Sequence, residues 1–78
     1  MNRVLIVEDD PQVARINSAF LEQSGFEVAG VAADAGQALK KLREEPVQLI
    51  LLDIYLPGSS GLEVLREIRR ENQQTEVI

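Results

Sequence analysis

The stretch Val4-Leu5-Ile6-Val7-Glu8-Asp9-Asp10-Pro11 decides the fold. Four apolar, mostly β-branched residues read as a short strand buried on both faces, the pattern of a parallel sheet. Three acids then break the run. Asp10 is placed to cap a following helix, and Pro11 suits its first turn, where a missing N–H costs nothing. In that helix Val13, Ile16, Phe20 and Leu21 are expected to share the apolar face, and Gly25 to end it.

The remainder repeats this unit. Residues 26–32 read as a second strand, weakened by Gly30 and the charged Glu27 and therefore assigned to a sheet edge. Asp34, with Gln37 three residues on, opens a second helix in capping-box fashion; Ala35, Ala38, Leu39 and Leu42 form its stripe and Pro46 ends it. Residues 47–52, the most apolar stretch, form a third strand that runs into Asp53, and Pro57-Gly58 marks a turn. Ser60 and Glu63 repeat the capping-box pattern before a third helix carrying Leu62, Leu65 and Ile68. Glu76-Val77-Ile78 opens a fourth strand. Strand starts near positions 3, 27, 48 and 76 are 24, 21 and 28 residues apart. Strands and helices alternating at that interval imply parallel βαβ units with right-handed crossovers. The expected fold is α/β, an open, doubly wound parallel sheet; the flavodoxin-like order 2-1-3-4(-5) is what the family resemblance given below implies. Five strands at this spacing would need roughly 120 residues, so residues 1–78 read as one partial domain.

Composition narrows the function. The chain has 78 residues, 8 basic and 13 acidic, for a net charge of −5, with 45% hydrophobic residues. That balance belongs to a globular domain, not a disordered segment. Cysteine and histidine are absent, which removes thiolate sites, the usual zinc ligand and the commonest general base. No Lys/Arg cluster supports direct nucleic-acid binding. The apolar runs are too short to span a bilayer and no signal-peptide core is present, so a cytoplasmic protein without a membrane partner is expected.

The chemistry lies where the strands end. In doubly wound sheets, ligands bind beyond the carboxyl ends of the strands at the point where strand order reverses. With order 2-1-3, Glu8-Asp9-Asp10 and Asp53 meet in one crevice. Two carboxylates 4 Å apart repel by about 4 kcal/mol at an effective dielectric near 20. Raised pKa values, a basic neighbour or a hard cation could compensate. Neither loop offers a basic residue, which favours a cation, and an all-oxygen donor set beside a phosphate favours Mg²⁺.

These residues resemble a known family. Val4-Leu5-Ile6-Val7-Glu8-Asp9-Asp10, Leu49-Ile50-Leu51-Leu52-Asp53-Ile54-Tyr55-Leu56-Pro57-Gly58 and the later Gly61 look like the receiver domain of two-component response regulators, over the whole chain. The resemblance implies that Asp53 accepts a phosphoryl group, that Asp9 binds Mg²⁺ directly with Glu8 as its neighbour, and that the backbone carbonyl of Tyr55 completes the protein ligands. It implies a sensor histidine kinase as donor partner, and no enzymatic activity beyond the domain's own phosphorylation and dephosphorylation. The stretch from Asp53 to Arg70 is similar to the citrate- and malate-sensing regulators, which control transcription through a DNA-binding output domain absent here.

The family pattern also has a Ser or Thr at the end of the fourth strand and a Lys after the fifth. The sequence ends at Ile78, before either. Lys40 and Lys41 lie on the second helix and cannot substitute, and Ser59 and Ser60 read as turn and cap residues. An incompletely covered sheet leads to the expectation of either a portion of a longer protein or a homo-oligomer, swapped or obligate. The competing reading is a non-phosphorylated interaction or dimerisation module. Flavin and nucleotide folds fit less well, because no Gly-rich phosphate loop follows the first strand.

Overall fold

Val4, Leu5, Ile6 and Val7 are all fully buried, as a central strand covered on both faces requires. They lie in β1 (Arg3–Val7), which is followed by α1 (Pro11–Gln23), β2 (Glu27–Ala32), α2 (Ala35–Glu44), β3 (Leu49–Leu52), α3 (Gly61–Glu71) and β4 (Glu76–Val77). The structure is a computed structural model, and it describes residues 2–53, 61–71 and 75–78. The strands form one parallel sheet in the order β2-β1-β3-β4. The chain steps from β1 to β2 on one side and then crosses to β3 on the other. Strand order therefore reverses between β1 and β3, as the family resemblance implies.

Alternation within the strands sorts the core into two layers. Leu5, Val7 and Ile50 face a cluster that includes Ala38 of α2 and Val64 and Ile68 of α3. Val4 and Ile6 face the opposite cluster with Ala14 and Leu21 of α1, joined by half-buried Leu49 and Leu51. The helix ends follow the capping residues. Asp10 accepts hydrogen bonds from the N–H groups of Gln12 (2.9 Å) and Val13 (3.4 Å). At the other end of α1, Phe26 N–H donates to Leu21 and Gly25 N–H to Glu22. Gly25 has φ +94°, so α1 closes in a Schellman motif that satisfies its last carbonyls. Asp34 accepts from Gln37 N–H, while the Gln37 side chain accepts from Ala33 N–H, both at 2.9 Å.

Two expectations about helix faces need correction. On α1, Ile16 and Phe20 are each 67% exposed and Val13 38% exposed; the sheet-facing stripe is Ala14, Asn17 and Leu21. On α3, Leu62 is 65% exposed, and Gly61, Val64 and Ile68 face inward. On α1 the small residue Ala14 lies against the sheet, where a close approach favours it over a bulkier neighbour. β3 begins at Leu49 rather than 47, although Val47 is still buried. The Pro57-Gly58 turn and the Ser60 cap lie outside the described residues.

At the amino ends of the strands, the Arg3 side chain contacts Glu27 (3.3 Å) and Glu45 (3.2 Å), and its backbone N–H donates to the Gln48 side-chain oxygen at 2.7 Å. This ties β1, β2, the end of α2 and the approach to β3 together at the pole opposite the acids. Thr75 closes the same pole, its buried hydroxyl donating to the Val47 carbonyl at 3.1 Å.

Candidate functional site

The parallel register of β1 and β3 positions the acids. Ile6 faces Leu51 and Val7 faces Leu52. Continuing each strand by its two-residue period puts Glu8 beyond Ile6 and Asp53 beyond Leu51, on the α1 side of the sheet. The backbone fixes both positions. Glu8 N–H donates to the Ala32 carbonyl at 2.8 Å, and Asp53 N–H donates to the Val7 carbonyl at 3.0 Å. Each acid is thus anchored by a neighbouring strand before any side chain is considered.

Glu8, Asp9 and Asp53 each offer a carboxylate oxygen, and these oxygens lie within 4.8 Å of one another. Glu8 is the buried member at 8% exposure; Asp53 is half-buried and Asp9 exposed. Burial, first, pushes the Glu8 carboxyl above its ordinary titration range, because the ionised form loses water. The Asp53 carboxylate raises it further, and Asp9 adds to the effect. The Asp10 N–H, which donates to Glu8 at 3.2 Å, opposes the shift by favouring the charged form.

Asp10 stands apart from this group. Its side chain is committed to the α1 cap, the role that Pro11 beside it suggests. Among the described residues, no Lys or Arg pairs with Glu8 or Asp9; the ion pairs of Arg3, Lys41 and Arg43 lie elsewhere. Lys41 contacts Glu45 at 3.9 Å, at the opposite end of the sheet, and Lys40 is exposed on the same helix. Neither lysine reaches the acids, in line with the sequence reading. Tyr55, Ser59 and Ser60 lie outside the described residues.

This donor set fits a hard cation. It consists of carboxylate oxygens only, from two strand ends, at separations one ion can bridge. One feature escapes a reading of the sequence alone. Asn17 of α1 lines a cavity of about 110 Å³ with Ile6, Glu8, Leu51 and Asp53. Its spacing from Ala14 and Leu21 is the signal that could have revealed it.

Comparison with known proteins agrees with this geometry. Residues 4–78 match the response regulator receiver domain family. The transcriptional regulatory protein MalR of Bacillus subtilis is 49% identical over 79 residues, covering 100% of this chain and 34% of MalR. The response regulator TrrA of Thermotoga maritima, solved in complex with Mg²⁺-BeF, superposes with a TM-score of 0.88 at 36% identity, over 99% of this chain and 66% of that one. TrrA solved with the histidine kinase ThkA gives a TM-score of 0.86 at 35% identity, with 99% and 66% covered. The chain therefore spans about a third of the curated relative and about two thirds of the solved receiver.

Proposed function

The chain belongs to the response regulator receiver domain family, and from that premise we propose that Asp53 accepts a phosphoryl group from a phosphohistidine of a partner sensor kinase. Glu8, Asp9, Asp53 and the backbone carbonyl of Tyr55 would hold Mg²⁺ beside it. The observation that carries the reading is the meeting of three carboxylates within 4.8 Å at the ends of β1 and β3. TrrA supports it as a relative solved both with Mg²⁺-BeF and with a histidine kinase.

The step suits the residues available. An Asp53 oxygen forms a new bond to phosphorus as the bond from phosphorus to the donor's imidazole nitrogen breaks, and that nitrogen leaves with the electron pair. Mg²⁺, when bound, supplies charge neutralisation for the phosphoryl oxygens. Glu8 and Asp9 contribute the negative charge that holds the cation. The hydrogen bond from Asp53 N–H to the Val7 carbonyl holds the acceptor's backbone at the strand end, so little orientation remains to be fixed when the donor arrives. Histidine is absent from the chain, and the donor imidazole belongs to the partner.

The name of the transcriptional regulatory protein MalR supports a role in transcription, which we propose is exerted through a DNA-binding output domain. The probable C4-dicarboxylate response regulator DctR of Halalkalibacterium halodurans, 40% identical, supports a subgroup responding to small carboxylates of the citrate and malate type. The experiment is incorporation of labelled phosphate into the intact protein from a small acyl-phosphate donor. Uptake should require Mg²⁺ and be lost in Asp53→Asn. Equal uptake by that variant would refute the acceptor assignment, and no uptake by the parent would favour the non-phosphorylated interaction module.

A further inference from the structure

On α1, Ala14 and Leu21 are buried against the sheet. Asn17 lies three residues after one and four before the other, on the same stripe. A carboxamide at such a position is a local departure from the apolar pattern, and such departures concentrate where function demands them. Asn17 is half-buried, and the cavity it lines has two kinds of wall: apolar Ile6 and Leu51 below, and the acids Glu8 and Asp53 above.

From this juxtaposition we infer that Asn17 is a positioning residue for the acidic site, holding the Glu8 carboxylate through water ordered in the cavity between α1 and β3. A cavity of about 110 Å³ has room for several waters. A stable buried water needs two to four polar partners, and Asn17, Glu8 and Asp53 are polar groups on this cavity. The Asn17 side chain is suited to the task because its amide N–H groups donate while its carbonyl accepts. It can donate toward a carboxylate through one water and still accept from another. A leucine at this position would extend the Ile6–Leu51 surface and leave the inner side of Glu8 facing hydrocarbon. Glu8 would then lose support for the orientation in which it attracts a cation. Partners that orient a ligand from behind typically change metal affinity ten- to a hundredfold when removed.

The inference rests on the metal-binding reading above. Its test is a titration of the intact protein with MgCl₂, followed through the amide resonances of Glu8, Asp9 and Asp53, in the parent, Asn17→Leu and Asn17→Ser. Asn17→Leu is expected to weaken Mg²⁺ binding about tenfold while its thermal midpoint without Mg²⁺ holds or rises. Asn17→Ser, which keeps a hydroxyl on the cavity, is expected to recover most of that affinity. A leucine variant binding Mg²⁺ within about twofold of the parent overturns the inference. So does equal weakening in both variants, which would make Asn17 a packing residue. A parent showing no saturable response refutes the metal-binding reading itself, and it does so before any substitution is compared.

Discussion

Glu8 and Asp53 stand across the β1–β3 boundary, each two residues beyond the facing pair Ile6 and Leu51, with carboxylate oxygens no more than 4.8 Å apart. Without a cation, this arrangement stores repulsion in the fold. Glu8 holds its proton more tightly in the folded chain than at its ordinary pKa of 4.5, chiefly through burial and then through Asp53. Between those two values the native state binds more protons than the unfolded chain. The Glu8 contribution is thus fully present below pH 4.5 and is lost as pH rises through the raised folded-state pKa. Glu8→Gln is expected to be more stable than the parent at pH 7.5, by on the order of 1 kcal/mol, since side-chain relaxation leaves only part of the ~4 kcal/mol bare repulsion. Denaturant unfolding of both proteins across pH, without divalent metal, checks this. A stability difference that does not grow with pH would be inconsistent with the raised pKa.

The adjacent acids Asp9 and Asp10 should separate cleanly. The Asp10 side chain accepts from two N–H groups at the start of α1, whereas Asp9 contributes to the carboxylate group. Asp10→Ala should cost about 1 kcal/mol of stability, or a melting point lower by about 4–8 °C for a domain of this size. Asp9→Asn should leave the melting point without metal unchanged or slightly raised and weaken Mg²⁺ binding. Thermal melts and metal titrations of the two variants would expose any exchange of roles.

Two glycines differ in what a methyl group would meet. At Gly25, φ is +94° and nothing lies within 4 Å of an added Cβ. The cost of Gly25→Ala is therefore conformational, about 1 kcal/mol. At Gly30, which follows the bulge in β2, an added Cβ would come within 3.0 Å of Lys41 Cε. That contact is to the end of a flexible side chain, which can swing aside. Gly30→Ala is expected to fall within about 0.5 kcal/mol of neutral, and equilibrium unfolding of the two variants measures the contrast.

The strands and the placing of Glu8 and Asp53 at strand ends were legible in the sequence for one reason, while the order that brings the two ends together came from the family resemblance. A fully apolar run leaves little freedom in a parallel sheet, and an acid directly after such a run has only the strand end to occupy. The helix faces were less legible. Val13, Ile16 and Phe20 look like the apolar stripe of α1 by side-chain size, yet close packing on the sheet selects Ala14 and brings Asn17 and Leu21 inward with it. An inward asparagine cannot be told from a surface one until the phase of the helix is known. Asn17 consequently stayed hidden while the acids did not.

That phase error is itself measurable. Phe20 is 67% exposed while the next residue, Leu21, is 9% exposed. Exposed positions without caps or ion pairs change stability by about 0.5 kcal/mol or less on substitution. Truncating a buried leucine costs about 2–5 kcal/mol, because hydrocarbon contacts are lost and the cavity collapses only partly. Phe20→Gln should unfold at nearly the denaturant concentration of the parent, and Leu21→Ala at a much lower one. The apolar stripe read from side-chain size, Val13-Ile16-Phe20-Leu21, gives both residues a large cost. The stripe seen in the structure, Ala14-Asn17-Leu21, gives it to Leu21 alone. A Phe20→Gln variant destabilised as strongly as Leu21→Ala would mean that another surface covers Phe20 in solution.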